Sequence, residues 1–167
     1  MANELTDPSF ELGTGWVYSG KGARTTDQAL AGSYSAVCQT LAGDIILPDG
    51  QSTISQTGVT LVSGAAYGIS FWFLPVTPAD VDFRVLADNG SGSYATLETF
   101  STPATGSWIY ANYAITAAGT SGKLRFRSLA TGLGVVNARF YIDSVFFGDS
   151  VAIKLSERAV DAVVAML

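Results

Sequence analysis

Apolar and polar residues alternate along most of this chain with a period of two. In residues 67–74 the alternation puts Tyr67, Ile69, Phe71 and Phe73 on one face and Gly68, Ser70, Trp72 and Leu74 on the other. Residues 81–88 repeat it, with Val81, Phe83, Val85 and Ala87 turned to a core and Asp82, Arg84 and Asp88 turned outward. Further strands are predicted over 16–18, 33–40, 53–61, 94–100, 108–115, 124–129 and 139–147. Pro75 and Pro78 are expected to end the 67–74 strand, because proline cannot donate to a ladder. Asp88-Asn89-Gly90-Ser91-Gly92 reads as a hairpin turn. Its Asn-Gly-Ser sequon is better explained by that turn than by glycosylation. Eight or nine short strands about 10 residues apart predict an all-β fold, an antiparallel β-sandwich of the jelly-roll kind.

The pattern changes near the end. Ser156 can cap a helix whose stripe is Val160, Val163, Val164 and Leu167, spaced i, i+3, i+4 and i+7. The expectation is a jelly-roll domain over 1–149 and a short C-terminal amphipathic α-helix over 150–167. About 12 residues of helix need a surface to dock on. That surface is either the chain's own sandwich or a sister subunit or other virion protein.

Composition narrows the function. Hydrophobic residues make up 48% of the 167 and charged residues only 14%, so the chain can bury a core. A net charge of −5, with nine Lys and Arg that form no run, argues against a nucleic-acid partner. No apolar stretch approaches the roughly 18 residues of a membrane span. Met1-Ala2-Asn3-Glu4-Leu5 lacks the basic and apolar regions of a signal peptide, so the chain is expected to be made in the cytoplasm. Cys38 has no internal disulfide partner and reads as a small buried residue. The chain has no histidine, no G-x-S-x-G and no phosphate-binding glycine loop, which removes the common nucleophilic and metal systems. It reads as a non-enzyme.

Several segments together resemble a known family. Asn3-x-x-x-Asp7-x-x-Phe10-Glu11, Gly15-Trp16 and Gly32-Ser33-Tyr34-Ser35-Ala36-Val37 resemble the opening of jelly-roll carbohydrate-binding modules of families four and nine. Gly64-Ala65-Ala66-Tyr67 through Trp72, Gly106-Ser107-Trp108 and Tyr141-Ile142-Asp143-Ser144-Val145 resemble later parts of it. The resemblance implies a structural calcium joining the first and last strands. Glu11 and Asp143 would be its carboxylates, with carbonyls near Asp7 and Ser33 completing an oxygen shell. The alternative is that both carboxylates accept backbone amides at a sheet edge. The resemblance also implies polysaccharide binding. Parity turns Trp72, Arg84, Tyr110, Asn112, Arg125 and Arg127 away from the apolar sets. They form one groove floor if their strands are adjacent, with Trp16 and Tyr18 at its rim.

Two functions follow as expectations. One is a non-enzymatic virion structural protein, a bacteriophage capsid-decoration or tail-surface component on a carbohydrate-binding-module-like jelly roll, located in the virion. The other is a carbohydrate-binding module of a secreted polysaccharide-degrading enzyme.

Overall fold

In the computed structural model the described residues are 3–41, 52–77, 80–101, 103, 105–131 and 137–149. They form ten strands: β1 (Val17–Ser19), β2 (Ala23–Thr25), β3 (Ser35–Thr40), β4 (Ser52–Thr60), β5 (Ala66–Val76), β6 (Val81–Asp88), β7 (Ala95–Ser101), β8 (Ile109–Thr116), β9 (Ser121–Ala130) and β10 (Ala138–Asp149). All pairings between them are antiparallel. The strands make two five-stranded sheets, ordered β1-β4-β9-β6-β7 and β2-β3-β10-β5-β8. The predicted sandwich is therefore present. The predicted C-terminal helix, with Val160, Val163, Val164 and Leu167, lies outside the described residues.

The core lies between the sheets, where the inward halves of the alternating strands meet. Phe71 and Phe73 from one sheet face Phe83 and Phe126 from the other, all fully buried. Phe83 has ring neighbours at 4.9 Å (Phe140), 5.2 Å (Phe73) and 6.1 Å (Phe126). Stacked ring pairs of this kind add to the stabilisation that comes from the area they bury.

Two sequence expectations need correction here. Pro75 does not end its strand, since β5 runs to Val76 and pairs with β10 through Pro75↔Phe140 and Val76↔Arg139. The Pro75 carbonyl accepts from the Gly106 amide on the β8 side, and a strand residue's nitrogen points the same way as its carbonyl. The β8 ladder has already stopped at Phe73↔Ile109, so the missing donor costs no ladder bond. The second correction concerns β2, which the sequence reading missed. Its three half-buried residues, Ala23, Arg24 and Thr25, show no alternation long enough to read.

Residues before β1 are held by side chains and by isolated backbone bonds rather than by a ladder, with the Glu4 amide donating to the Phe147 carbonyl at 2.8 Å and the Val145 amide to the Pro8 carbonyl at 2.9 Å. Asn3 bridges to Gly148, donates to the Val145 carbonyl at 2.8 Å and accepts from the Phe147 amide at 3.1 Å. The Asp7 carboxylate accepts the amides of Leu12, Gly13 and Thr14, the shortest at 2.7 Å. Asp7 and Phe10 sit at positive φ, 50° and 62°, and these capped turns pay for that strain.

Candidate functional site

The outer faces of the two sheets differ in chemistry. In the first sheet β9 is the middle strand, and its outward residues are Lys123, Arg125 and Arg127. Beside it on β6 stand Asp82, Arg84, Leu86 and Asp88, and on β4 stand Thr53, Ser55 and Thr57. Register places Arg84 directly opposite Arg127, Leu86 opposite Arg125 and Asp88 opposite Lys123. Four of the nine Lys and Arg residues thus share one face: Arg84, Lys123, Arg125 and Arg127.

Two of these cations are paired. Arg84 Nη2 lies 3.0 Å from Asp82 Oδ2, and Lys123 Nζ lies 3.1 Å from Asp88 Oδ2. Arg125 instead lies over the ring of Tyr94, 4.1 Å from its centroid, in a cation–π contact. Around Arg127 the charges acting on it are the other arginines. Burial first, and then Arg84 and Arg125, hold its guanidinium below the ordinary value. The Nε–H groups of Arg84, Arg125 and Arg127 are closed off from solvent without a hydrogen-bond partner, and so is the Tyr94 hydroxyl.

Tyr94 owes its place to the turn before β7. Asp88 Oδ1 accepts from the Gly90 and Gly92 amides at 2.9 and 3.0 Å, an Asx-type closure of the predicted hairpin. Gly90 is at φ 94°, and a Cβ there would meet Gly119 Cα at 2.7 Å, so the turn is locked against residues 118–120. Burial alone would raise the Asp88 carboxyl. The Lys123 ammonium and the two glycine amides outweigh it and hold the group below its ordinary 3.8.

The second sheet's outer face carries Trp72, Tyr110 and Asn112. Trp72 and Tyr110 are register partners with rings 5.2 Å apart, both half-buried, and Asn112 is exposed. The next partner of Trp72 is Asp143, over which residues 30–31 pass. Farther along, Val37, Leu74 and Tyr141 form a small buried cluster with Ala23, Val76 and Trp108 against it. Much of this face is closed by the chain itself.

The sequence-derived groove is therefore split. Trp72, Tyr110 and Asn112 lie on one outer face, and Arg84, Arg125 and Arg127 on the other. Parity tells inside from outside but not which sheet a strand joins, and β5 and β6 are in different sheets. The rim residues also move. Trp16 is buried, its ring 4.9 Å from Phe10 and its indole N–H donating to the Asp7 carbonyl at 2.9 Å. Tyr18 packs against the core, while Val17 and Ser19 are the exposed residues of β1. Tyr94 and Lys123 were missed. The turn directly before Tyr94 and the parity of Lys123 with Arg125 were the available signals.

Glu11 and Asp143 do approach each other, Asp143 from the last strand in chain order as expected, but Glu11 from outside any strand. Glu11 lies in the turns before β1, and Asp143 lies on β10, the middle strand of its sheet. Both hold one loop. Glu11 Oε1 accepts the Ser33 and Tyr34 amides at 3.0 and 2.9 Å, and a Cβ on Gly32 would collide with this carboxylate. Asp143 Oδ2 accepts from Leu30 and Ala31 at 2.9 and 3.1 Å, and Oδ1 accepts from Ser144 at 2.6 Å. These amide donors occupy lone pairs a cation would need, and the Asp7 carbonyl already accepts from Trp16 and Phe10. Among the described residues no group of three or more His, Cys, Asp or Glu side chains comes together. The donor set therefore fits a calcium ion poorly.

The Asp143 carboxyl is raised above its ordinary 3.8, by burial first, with Glu11 adding to it and the loop amides opposing. Its proton is bound more tightly in the fold, so its ionisation weakens the fold as pH climbs from that ordinary value. Asp88 acts in the opposite sense, giving stability above 3.8 that is lost as pH falls through its lower folded value. We expect Asp143→Asn to remove a loss of stability on the alkaline side of 3.8. Asp88→Asn should remove a loss on the acid side. Melting temperatures of the three proteins across that range check both signs.

Cys38 is fully buried, and burial pushes its thiol up to about 12, which leaves it inert at neutral pH.

No protein-family model and no curated protein matches the chain. Solved structures do. TmCBM61, a carbohydrate-binding module solved in complex with β-1,4-galactotriose, aligns with TM-score 0.63 and 18% identity over 90% of this chain and 100% of that one. A family 16 carbohydrate-binding module aligns with TM-score 0.62 and 17% identity over 88% of this chain and 100% of that one. The enzymatically active domain of bacteriophage CBA120 tailspike protein 4 aligns with TM-score 0.61 and 13% identity, over 87% of this chain but only 21% of that one. The chain has the jelly-roll fold of carbohydrate-binding modules.

Proposed function

We propose that this chain is a non-catalytic glycan-binding domain that receives its ligand on the outer face of the β1-β4-β9-β6-β7 sheet. The observation that carries the proposal is Tyr94 at the border of a half-buried polar floor of Arg84, Lys123, Arg125 and Arg127. A sugar ring offers an apolar C–H face to an aromatic ring and hydroxyls to fixed donors, and this floor has both. The carbohydrate-binding modules of the same fold support the reading.

Retention in gels containing soluble polysaccharides tests it. Tyr94→Ala should weaken retention about tenfold at most, the worth of one good stacking contact, while the chain stays folded. A Trp72→Ala, Tyr110→Ala double variant should bind as wild type. Loss in the double variant alone moves the site to the other sheet, and no retention of the wild type on any glycan overturns the proposal.

A role as a virion surface component is a second reading, favoured by the fold shared with part of a phage tailspike. Finding the chain by mass spectrometry in purified particles would support it. Finding it only as part of a secreted polysaccharide-degrading enzyme would replace it. Calcium between Glu11 and Asp143 is likewise a proposal, and one that must displace the loop amides.

A further inference from the structure

We infer that the ligand of this face is an acidic polysaccharide, one carrying carboxylate or sulfate groups, and that Arg127 and Arg125 are the residues that read its charge. The inference rests on the glycan-binding reading above and names its ligand class.

The argument starts from an arrangement that is unfavourable without a partner. Arg84 and Arg127 are direct cross-strand neighbours, and like charges so placed destabilise a sheet. Arg125 precedes Arg127 by two residues on the same face, about 7 Å along the strand. Asp82 and Asp88 neutralise Arg84 and Lys123. Among the described residues no carboxylate forms an ion pair with Arg125 or Arg127, and after burial Arg84 and Arg125 are what hold the Arg127 guanidinium below its ordinary value. Arg84, Arg125 and Arg127 thus form three adjacent guanidinium groups, with a carboxylate paired to Arg84 alone. Arginine grips a carboxylate or sulfate through its guanidinium N–H groups, and here the outer Nη–H groups are the ones a ligand can reach. An anionic group seated between Arg125 and Arg127 would relieve the repulsion.

Charge elsewhere does not forbid this. The chain's net −5 is spread over a whole domain, and at physiological salt charges beyond about 8 Å are largely screened. The local pair dominates at the site. Two unneutralised arginines beside one tyrosine suit scattered charges on a sugar chain. A nucleic acid, with a phosphate at every step, draws its affinity from many more cations than these.

The test is affinity electrophoresis and titration of the full chain with defined polymers: polygalacturonate for carboxylate, dextran sulfate for sulfate, an unsubstituted galactan and a β-glucan as neutral glycans, and a single-stranded oligonucleotide. We expect binding to an acidic polymer, with the carboxylate and sulfate arms deciding which group is preferred. Arg127→Gln should weaken that binding about tenfold or more, the worth of a charged hydrogen-bonded contact. Arg139→Gln removes a cation from the opposite sheet and should leave binding unchanged. Equal loss in both variants would show non-specific charge attraction and overturn the inference. Retention on neutral glycans with no preference for acidic ones overturns it while leaving the glycan-binding reading intact. Binding of the oligonucleotide above all sugars, or of nothing, overturns both.

Discussion

Phe83→Ala is expected to cost about 3–5 kcal/mol, the usual toll of emptying a packed phenylalanine site. The side chain is fully buried, and Phe71, Phe73, Phe100, Phe126 and Phe140 all have ring centroids within 6.4 Å of it. Those neighbours come from both sheets, so no local shift can refill the space. Domains of this size are commonly stable by only about 5–15 kcal/mol, so the variant should sit close to unfolding. Urea denaturation should show a large fall in the midpoint with an unchanged slope, since the surface exposed on unfolding stays the same. Arg84 is the next residue on β6, so a weakened strand should also loosen the cationic face.

The second large effect is expected from Asp143→Ala. Three amides, those of Leu30, Ala31 and Ser144, lose their acceptor at once. At about 1–3 kcal/mol for a donor left buried, the loss should be about 3 kcal/mol, and less where the loop opens and the amides of the exposed residues Leu30 and Ala31 turn to water. Opening would show as fast hydrogen exchange at Leu30 and Ala31, with the core strands still protected. Asp143→Asn keeps one acceptor oxygen and should lose less. The same samples address calcium. Amide capping predicts that a chelator leaves the wild-type melting temperature unchanged. A chelator-induced fall in wild type that is absent from Asp143→Ala would establish the ion.

Much of the fold was legible because each sheet has one buried face and the alternation records it. Tyr67, Ile69, Phe71 and Phe73 do face the core, and Asp88-Asn89-Gly90-Ser91-Gly92 does turn β6 back onto β7. What alternation cannot carry is sheet membership. Trp72 and Arg84 both point outward, yet the connection between β5 and β6 crosses from one sheet to the other. Trp16, expected at the rim, is buried instead. The Asp7 carbonyl, reached through capped turns of positive φ, is what draws its indole inward. The carboxylate pair Glu11 and Asp143 was found from sequence. Its occupation by amides of residues 30–34 was visible only once that loop had been placed over β10.

The central claim is that ligand binds the outer face of the sheet whose middle strand is β9. Its most direct test is an amide chemical-shift titration of the isotope-labelled chain with an oligosaccharide drawn from whichever polymer retains it. The account predicts shifts concentrated at Arg84, Tyr94 and residues 123–127, with Trp72, Tyr110 and Asn112 undisturbed. Shifts centred on Trp72 and Tyr110, with residues 123–127 silent, would contradict it.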